Sequence, residues 1–421
     1  MAPFNVRWHD DAEEDQDRER RWAAEGPKRY LAGAIVVGTI DQVLLSALQV
    51  RHAHMRGAAL LRHFLIVDEI HASDVYMTRL LSAVLDHHLA AGGHAMLMSA
   101  TLGTESRLRL TKETVRDEDI PPPDKATKIG YPLVTHVSAE RDDPTAVVTK
   151  SSGYEKEVSM TVKCIADDPA AIARRAIEAA RDGARVLIIR NVVDDCIAVQ
   201  EEIKDQLEDE ETNVLLSVGD SPVPHHSRYA DSDRKRLDAA IERAFGEEDE
   251  HGNPIPIRGV IAVATQTVQM SLDISASLML TDLCPVDVLL QRIGRLHRHG
   301  RTHPAGFEGP ECIVLTPEDR DLSPAIVKGG EKDGQGLQGN HGLGTVYADL
   351  RVIEATWRLL EDDDLDTWTI PEDNRQLVER GTHPHVLRDL VEENRQNEPD
   401  DAADAWYRHQ NWVVGARSAD A

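Results

Sequence analysis

Thr281-Asp-Leu-Cys-Pro285-Val-Asp-Val-Leu-Leu-Gln291-Arg-Ile-Gly294-Arg295-Leu-His-Arg298-His299 is the stretch whose reading decides the fold. The apolar run Leu278–Thr281 reads as a strand leading into it, and Pro285 suits the first turn of a helix. At 3.6 residues per turn, Gln291, Arg295 and Arg298 fall at i, i+4 and i+7 on one face. Leu289, Ile293 and Leu296 fall on the far side. One helix would then pack by its apolar side and present two arginines and an amide at one spot. Arginines aimed at a terminal phosphate stabilise the charge that develops in phosphoryl transfer, worth about 10³–10⁵ in rate. The competing reading is a solvated basic face; Gly294, a point of close approach, favours the first.

Further upstream, Phe64-Leu-Ile-Val-Asp68-Glu69-Ile-His71 is an apolar strand ending in two acids. One carboxylate there can hold a Mg²⁺ that bridges nucleotide phosphates, while the second orients and deprotonates the attacking water. Taken alone, the pattern is only moderately specific, its plain alternative being a helix N-cap acid, and the nucleotide reading is the favoured one. Ser99-Ala100-Thr101 follows the next strand, where small hydroxyls can hydrogen-bond the acid pair. Ala264-Thr265-Gln266, Ser271-Leu-Asp273-Ile and Pro224-His-His226-Ser227-Arg228-Tyr229 are polar clusters after or between strands, where ligands bind in open α/β sheets. Each is weak in isolation.

Outward from these motifs, β-rich runs alternate with helices, the mark of a parallel α/β sheet. Ala34–Val37 reads as a buried strand. Ile40, Val43, Leu44, Ala47 and Leu48 follow at helical spacing, as do Met77, Leu80, Leu81, Val84 and Leu85. Ala95–Met98 returns to strand. The expected later strands are Val186–Ile189, Val214–Ser217, Val260–Val263, Leu278–Thr281 and Ile313–Leu315, with a helix through Leu237, Ala240, Ile241, Ala244 and Phe245.

The formal net charge of −27 counts against nucleic-acid binding, because phosphate contacts dominate such affinity. The acid is concentrated in runs such as Asp10–Asp17, Glu208–Glu211 and Glu361–Asp366, which read as solvated loops and tails. Gln291 to Arg301 carries no acid at all, so local charge outweighs the global balance. Cys164, Cys196, Cys284 and Cys312 are scattered without a C-x-x-C pair, which argues against a zinc module or disulfide framework and fits a reducing cytoplasm. The most apolar window, Leu31–Val50, is broken by Gly38, Asp41 and Gln42 and does not read as a membrane span. No acid or cysteine completes a metal set around His87-His88, His225-His226 or His297/His299 at usable spacing.

Taken in order, V-G-T-I-D-Q (Val37–Gln42), D-E-I-H-A (Asp68–Ala72), S-A-T-L (Ser99–Leu102), His226-Ser227-Arg228, A-T-Q with S-L-D-I, and the Thr281–His299 run resemble the helicase of type I CRISPR systems, a helicase-nuclease family. The resemblance covers residues 20–320. It implies an α/β fold of two RecA-like parallel-sheet lobes, the first incomplete. The layout would be a charged leader over 1–28, a partial first lobe over 29–150, a second lobe over 151–325 and a mainly helical accessory region over 326–421. In that last region Trp357, Trp368, Trp406 and Trp412 read as core rather than as a base-stacking platform.

The resemblance further implies an ATP-dependent translocase of single-stranded DNA, with ATP and Mg²⁺ as cofactors. Asp68 would hold the metal and Glu69 would be the general base. His71, Ser99 and Thr101 would couple the nucleotide and DNA sites. Thr39, Asp41, Gln42, Asn191, His226, Ser227 and Thr265 would lie along the DNA track. Asp273 would help position nucleotide, while Gln291, Arg295 and Arg298 would meet the γ-phosphate. A crRNA-guided, Cascade-type surveillance complex is the implied partner, with no membrane.

The sequence departs from the family at three places. It holds no G-x-x-x-x-G-K-[ST], the loop that cradles nucleotide phosphates. No histidine/aspartate nuclease domain is legible, and His9-Asp10 reads as chance. Asn191-Val192-Val193 stands where the family has N-T-V, and Gln269-Met270 where it has Glu-Gln. The expectation is a chain whose first lobe needs a separate upstream half carrying the phosphate loop and the nuclease, because missing strands leave sheet edges unpaired. Two alternatives stand beside it: an ATP-incompetent fragment that binds DNA or a partner, and another superfamily 2 nucleic-acid-dependent ATPase. The Thr281–His299 run counts against the latter.

Overall fold

The computed structural model describes residues 33–70, 75–112, 115–138, 145–149, 155–208, 213–248, 252–256, 258–269, 272–300, 303–326, 341–397 and 400–419. The leader expected over 1–28 and His71 lie outside them. The chain divides into two compact units, Met1–Leu102 and Gly103–Ala419.

The first unit contains helices α1 (Ile40–Leu44) and α2 (Ala53–Leu60), strand β1 (Phe64–Val67), helix α3 (Val75–Ala90) and strand β2 (His94–Leu97). β1 and β2 pair in parallel, with Phe64 opposite His94 and Val67 opposite Leu97. The two-residue period of a strand divides β1: Leu65 and Val67 are buried, whereas Phe64 and Ile66 are more than half exposed. The strand expected at Ala34–Val37 does not form. Those residues run without regular structure, and Ile35 and Val37 are 75% and 73% exposed. A strand needs a neighbour to satisfy its backbone, and among the described residues none pairs with this segment. α1 is likewise shorter than its apolar spacing suggests, ending at Leu44.

The second unit begins with helices α4 (Thr104–Thr111) and α5 (Pro123–Ala126) and the hairpin β3 (Leu133–His136) and β4 (Thr145–Val148). Then come β5 (Lys156–Lys163), α6 (Pro169–Arg181), β6 (Arg185–Ile189), α7 (Val193–Gln206), the short hairpin β7 (Ser217–Val218) and β8 (Ser221–Pro222), α8 (Asp231–Phe245) and β9 (Val260–Ala264). β10 (Leu278–Asp282), α9 (Val286–Ile293), β11 (Glu311–Leu315), α10 (Leu350–Leu360), β12 (Thr367–Ile370), α11 (Asn374–Thr382), α12 (Pro384–Asn397) and α13 (Asp400–Ala419) complete it. The sheet order is β12-β5-β11-β10-β6-β9, parallel except for the antiparallel edge strand β12.

Alternate residues of each central strand serve opposite faces. Val186 and Ile188 join Ile261, Val263, Leu278 and Leu280 under α6 and α7. Leu187 and Ile189 join Ala262, Ala264 and Met279 in the other layer, under α8, α9 and the C-terminal helices. With both faces covered, β6, β9 and β10 are buried at every position, which explains their unbroken apolar text. The expected strand at Val214–Ser217 is reduced to a Leu215 bridge to Ile261 and the two residues of β7. β5 and β12 were not read from sequence, because Lys156, Glu157 and Lys163 interrupt the first and Trp368 was assigned to a helical tail.

Candidate functional site

In the first unit, hydrogen bonds keep the two strand exits level: Met98 N donates to Val67 O at 2.9 Å and Ile70 N to Met98 O at 3.1 Å. Asp68-Glu69 and Ser99-Ala-Thr101 therefore leave neighbouring strands at the same carboxyl end, where open parallel sheets bind ligands. Both acids are exposed. Glu69 has a left-handed backbone, φ 55°, and its N–H donates to Asp68 Oδ1 at 3.0 Å. Strain of this kind in a non-glycine residue costs of order 1–3 kcal/mol and clusters at functional sites.

The Thr101 N–H donates to Ser99 Oγ at 3.2 Å. Thr101 is only 5% exposed, and its hydroxyl has no hydrogen-bond partner among the described residues. A buried, unsatisfied hydroxyl beside two solvent-facing carboxylates suits an oxygen-rich ligand such as a hydrated hard cation. Thr39 stands just ahead of α1 with no side-chain cap bond, Asp41 is exposed in the first turn, and Gln42 Oε1 accepts from Arg56 at 2.8 Å.

In the second unit, β6, β10 and β9 deliver their carboxyl ends side by side. Asn191, just beyond β6, is 3% exposed. Its amide donates to Leu283 O and His341 O, both at 2.9 Å, while its carbonyl accepts from Arg292 at 2.8 Å. Thr265 follows β9, is 2% exposed, and donates through its N–H to His225 O. Thr265 and the exposed Ser227 line a cleft of about 450 Å³ with Arg234, Asp238, Gln266, Thr267 and Leu272. His226 is 6% exposed and stacks on Tyr229, ring centroids 4.4 Å apart.

The helix carrying Gln291 ends earlier than its periodicity implies. α9 stops at Ile293, Gly294 is its C-cap, and His297 turns left-handed at φ 44°. The expected single face over i, i+4 and i+7 is therefore corrected: only Gln291 is helical, while Arg295 and Arg298 ride on a strap leaving the helix. The cause is tertiary pairing. Ala276 N donates to Arg295 O and His297 N to Ala276 O, which draws the strap beside Ser275–Ser277. Arg295 is 9% exposed and donates to Gln269 O at 3.0 Å. Arg298 Nε meets Asp273 Oδ1 at 2.8 Å, and His299 Nε2 lies 3.0 Å from the same oxygen. Burial raises the Asp273 carboxyl, but the His299 hydrogen bond and the Arg298 charge outweigh it and hold the group below the usual range.

Sequence reasoning passed over two residues. Arg292 has no accessible surface and sits at the centre of the strand ends. Its place three residues after Leu289, on the apolar face of α9, was the available signal. His225 is fully buried, with Nε2 2.7 Å from Asp238 and Nδ1 2.7 Å from the Thr267 hydroxyl. Burial lowers its pKa against the pull of Asp238. Read as half of a histidine pair, it gave no sign of a partner thirteen residues away.

Residues 182–301 match the family described as CRISPR-associated nuclease/helicase Cas3, C-terminal. The CRISPR-associated endonuclease/helicase Cas3 of Escherichia coli (strain K12) is 32% identical over 364 residues, 85% of this chain and 37% of that protein. The crystal structure of T. fusca Cas3-ATP superposes with a TM-score of 0.69 at 26% identity, covering 92% of this chain and 43% of that one. A chain of a CRISPR RNA-guided surveillance complex, pre-nicking, matches with a TM-score of 0.63 at 25% identity over 94% of this chain and 46% of its own length. The chain thus spans less than half the length of each of these relatives. Among the described residues, no helix is long and apolar enough to cross a membrane.

Proposed function

The chain belongs to the family of the CRISPR-associated nuclease/helicase Cas3, and on that premise we propose that it is the ATP-dependent motor for single-stranded DNA in type I CRISPR antiviral defence. The observation that carries this reading is the Asp68-Glu69 pair leaving β1 beside Ser99 and Thr101 leaving β2, with Glu69 held in a strained backbone. Glu69 takes the proton of a water whose oxygen attacks the γ-phosphorus, and ADP leaves. Asp68 is the residue that would hold Mg²⁺, which when bound supplies positive charge to the phosphate oxygens. Gln291, Arg295 and Arg298 meet the γ-phosphate, and Asp273 releases Arg298 as the phosphate engages it. Ser99 and Thr101, with His71, couple nucleotide state to the DNA track formed by Thr39, Asp41, Gln42, Asn191, His226, Ser227 and Thr265. The relatives in a surveillance complex and with bound ATP support a Cascade-type partner and a nucleotide here. The setting we propose is the cytoplasm.

The sequence supplies no phosphate loop, so the chain on its own is expected to show no ATP turnover. Mixed with an upstream half bearing that loop, it should hydrolyse ATP when single-stranded DNA is added. Glu69→Gln should lower that turnover by about 10²–10⁴-fold, the usual weight of a general base. Turnover by the chain alone would refute the dependence on a second half, and a fully active Glu69→Gln complex would refute the base. The missing loop also favours a second reading, a chain that binds DNA or a partner without hydrolysis. A mixture that binds DNA but never turns over ATP would select it.

A further inference from the structure

Lys156 opens β5, and its Nζ donates to Ile293 O at 2.8 Å and to Leu296 O. Ile293 is the last residue of α9 and Leu296 lies in the strap behind it, both without accessible surface. A helix leaves its final carbonyls without intrahelical partners, and a cation at that end also meets the negative pole of the helix dipole. Buried carbonyls left unpaired are costly, so the contact is a strong one for the backbone it touches. The two carbonyls bracket Arg295, and Arg298 follows two residues later. Backbone bonds also hold the strap, Leu296 N to Ile293 O at 2.9 Å and His297 N to Ala276 O at 3.0 Å, and Ser275 Oγ accepts from Arg298 N at 3.0 Å.

We infer that Lys156 is a positioning residue for the arginine strap: its ammonium ties the Ile293 and Leu296 carbonyls, and so fixes the backbone that aims Arg295 and Arg298. The inference rests on the reading of those arginines as phosphate-facing and deepens it. A lysine on a strand 137 positions upstream thereby sets the geometry of a motif whose own text contains no such group. The groups facing the ammonium are Arg298, Arg295 and His297 from the strap and Cys312 from β11. Burial, followed by the Arg298 charge, brings its pKa down to about 8. An exposed lysine titrates at its ordinary 10.5, so between about 8 and that value the opened strap binds this proton and the closed one does not. Closure therefore strengthens as pH rises through that window, and the neutral amine keeps two N–H donors for the two carbonyls.

Amide hydrogen exchange on the full chain tests this without nucleotide, so its failure is distinct from failure of the ATP reading. In Lys156→Met, the Leu296 and His297 amides should exchange at least about tenfold faster, with β6 unchanged and Lys156→Arg recovering most of the protection. After correction for intrinsic rates, the wild-type strap should tighten as pH rises above about 8, whereas Lys156→Arg should stay level. Wild-type protection in Lys156→Met, or no recovery in Lys156→Arg, overturns the assignment. Should Lys156→Met not fold, the pH comparison of wild type with Lys156→Arg decides, and parallel profiles overturn it.

Discussion

Arg292 shows how one side chain can organise a strand-end site without facing solvent. Its guanidinium donates to Thr281 Oγ1 at 2.6 Å, Asp282 O at 3.1 Å, Asn191 Oδ1 at 2.8 Å and Tyr347 Oη at 3.0 Å. Beside it, Arg190 pairs with Asp282 at 2.8 Å, both 1% exposed. A planar fork with five donors suits this many acceptors, and a lysine would reach few of them. Arg292→Met removes the charged donor from Asn191 Oδ1 and Thr281 Oγ1 in a buried site, so it should lower unfolding free energy by roughly 3 kcal/mol in a urea titration. A loss below about 1 kcal/mol, the range of a surface change, would show that the network contributes little.

At the scale of the element, the strap from Arg295 to His299 and its partner Ser275–Ser277 work as one piece. Ser275 Oγ accepts from Arg298 N at 3.0 Å, and His297 Nε2 lies 3.1 Å from Ser277 O. His297 also stacks on His303, centroids 3.5 Å apart. Burial, with the neighbouring His303 adding to it, pulls the His297 pKa down to about 4. An unfolded histidine titrates near 6.5, so between that pH and about 4 only the unfolded chain takes up this proton. Stability should therefore fall as pH drops through that window. His297→Gln should flatten the decline in thermal unfolding measured from pH 7 to pH 5; identical slopes in the two proteins would dismiss His297 as a cause.

Across the whole of the second unit, the C-terminal residues are part of the core. β12 pairs with β5, and Trp357, Trp368 and Trp406 are at most 2% exposed within the layer that also holds Leu187, Met279 and Leu289. Trp412 is the exception at 39% exposed. The same region reaches the strand ends through Tyr347 and through His341, which sits 2.7 Å from Asp195 and 2.9 Å from Asp167. A chain ending at Ile326 would uncover that layer and expose a large apolar surface of the kind that drives aggregation. Such a truncation should be insoluble or molten, judged by dye binding and near-ultraviolet dichroism; a soluble, cooperatively unfolding product would refute this account of the layer.

The sequence by itself determined the parallel α/β class, the strand at Phe64–Val67, the strands β6, β9, β10 and β11 within a residue or two, and the motif order that places the chain in its family. Buried parallel strands announce themselves because both faces are covered and their text is apolar throughout. Acids and hydroxyls at strand ends were legible for the same reason, since the strand that precedes them fixes where they emerge. Only the tertiary structure decided that α9 stops at Ile293, that Lys156 holds the strap beyond it, that Arg292 and His225 are buried with partners, and that the tryptophans read as core join the layer of Leu187 and Met279 while Trp412 stays exposed. Helical periodicity scores a residue against its near neighbours. The bonds that end α9 and carry Arg295 away come from Ala276 and Lys156, groups remote in sequence that no local spacing contains.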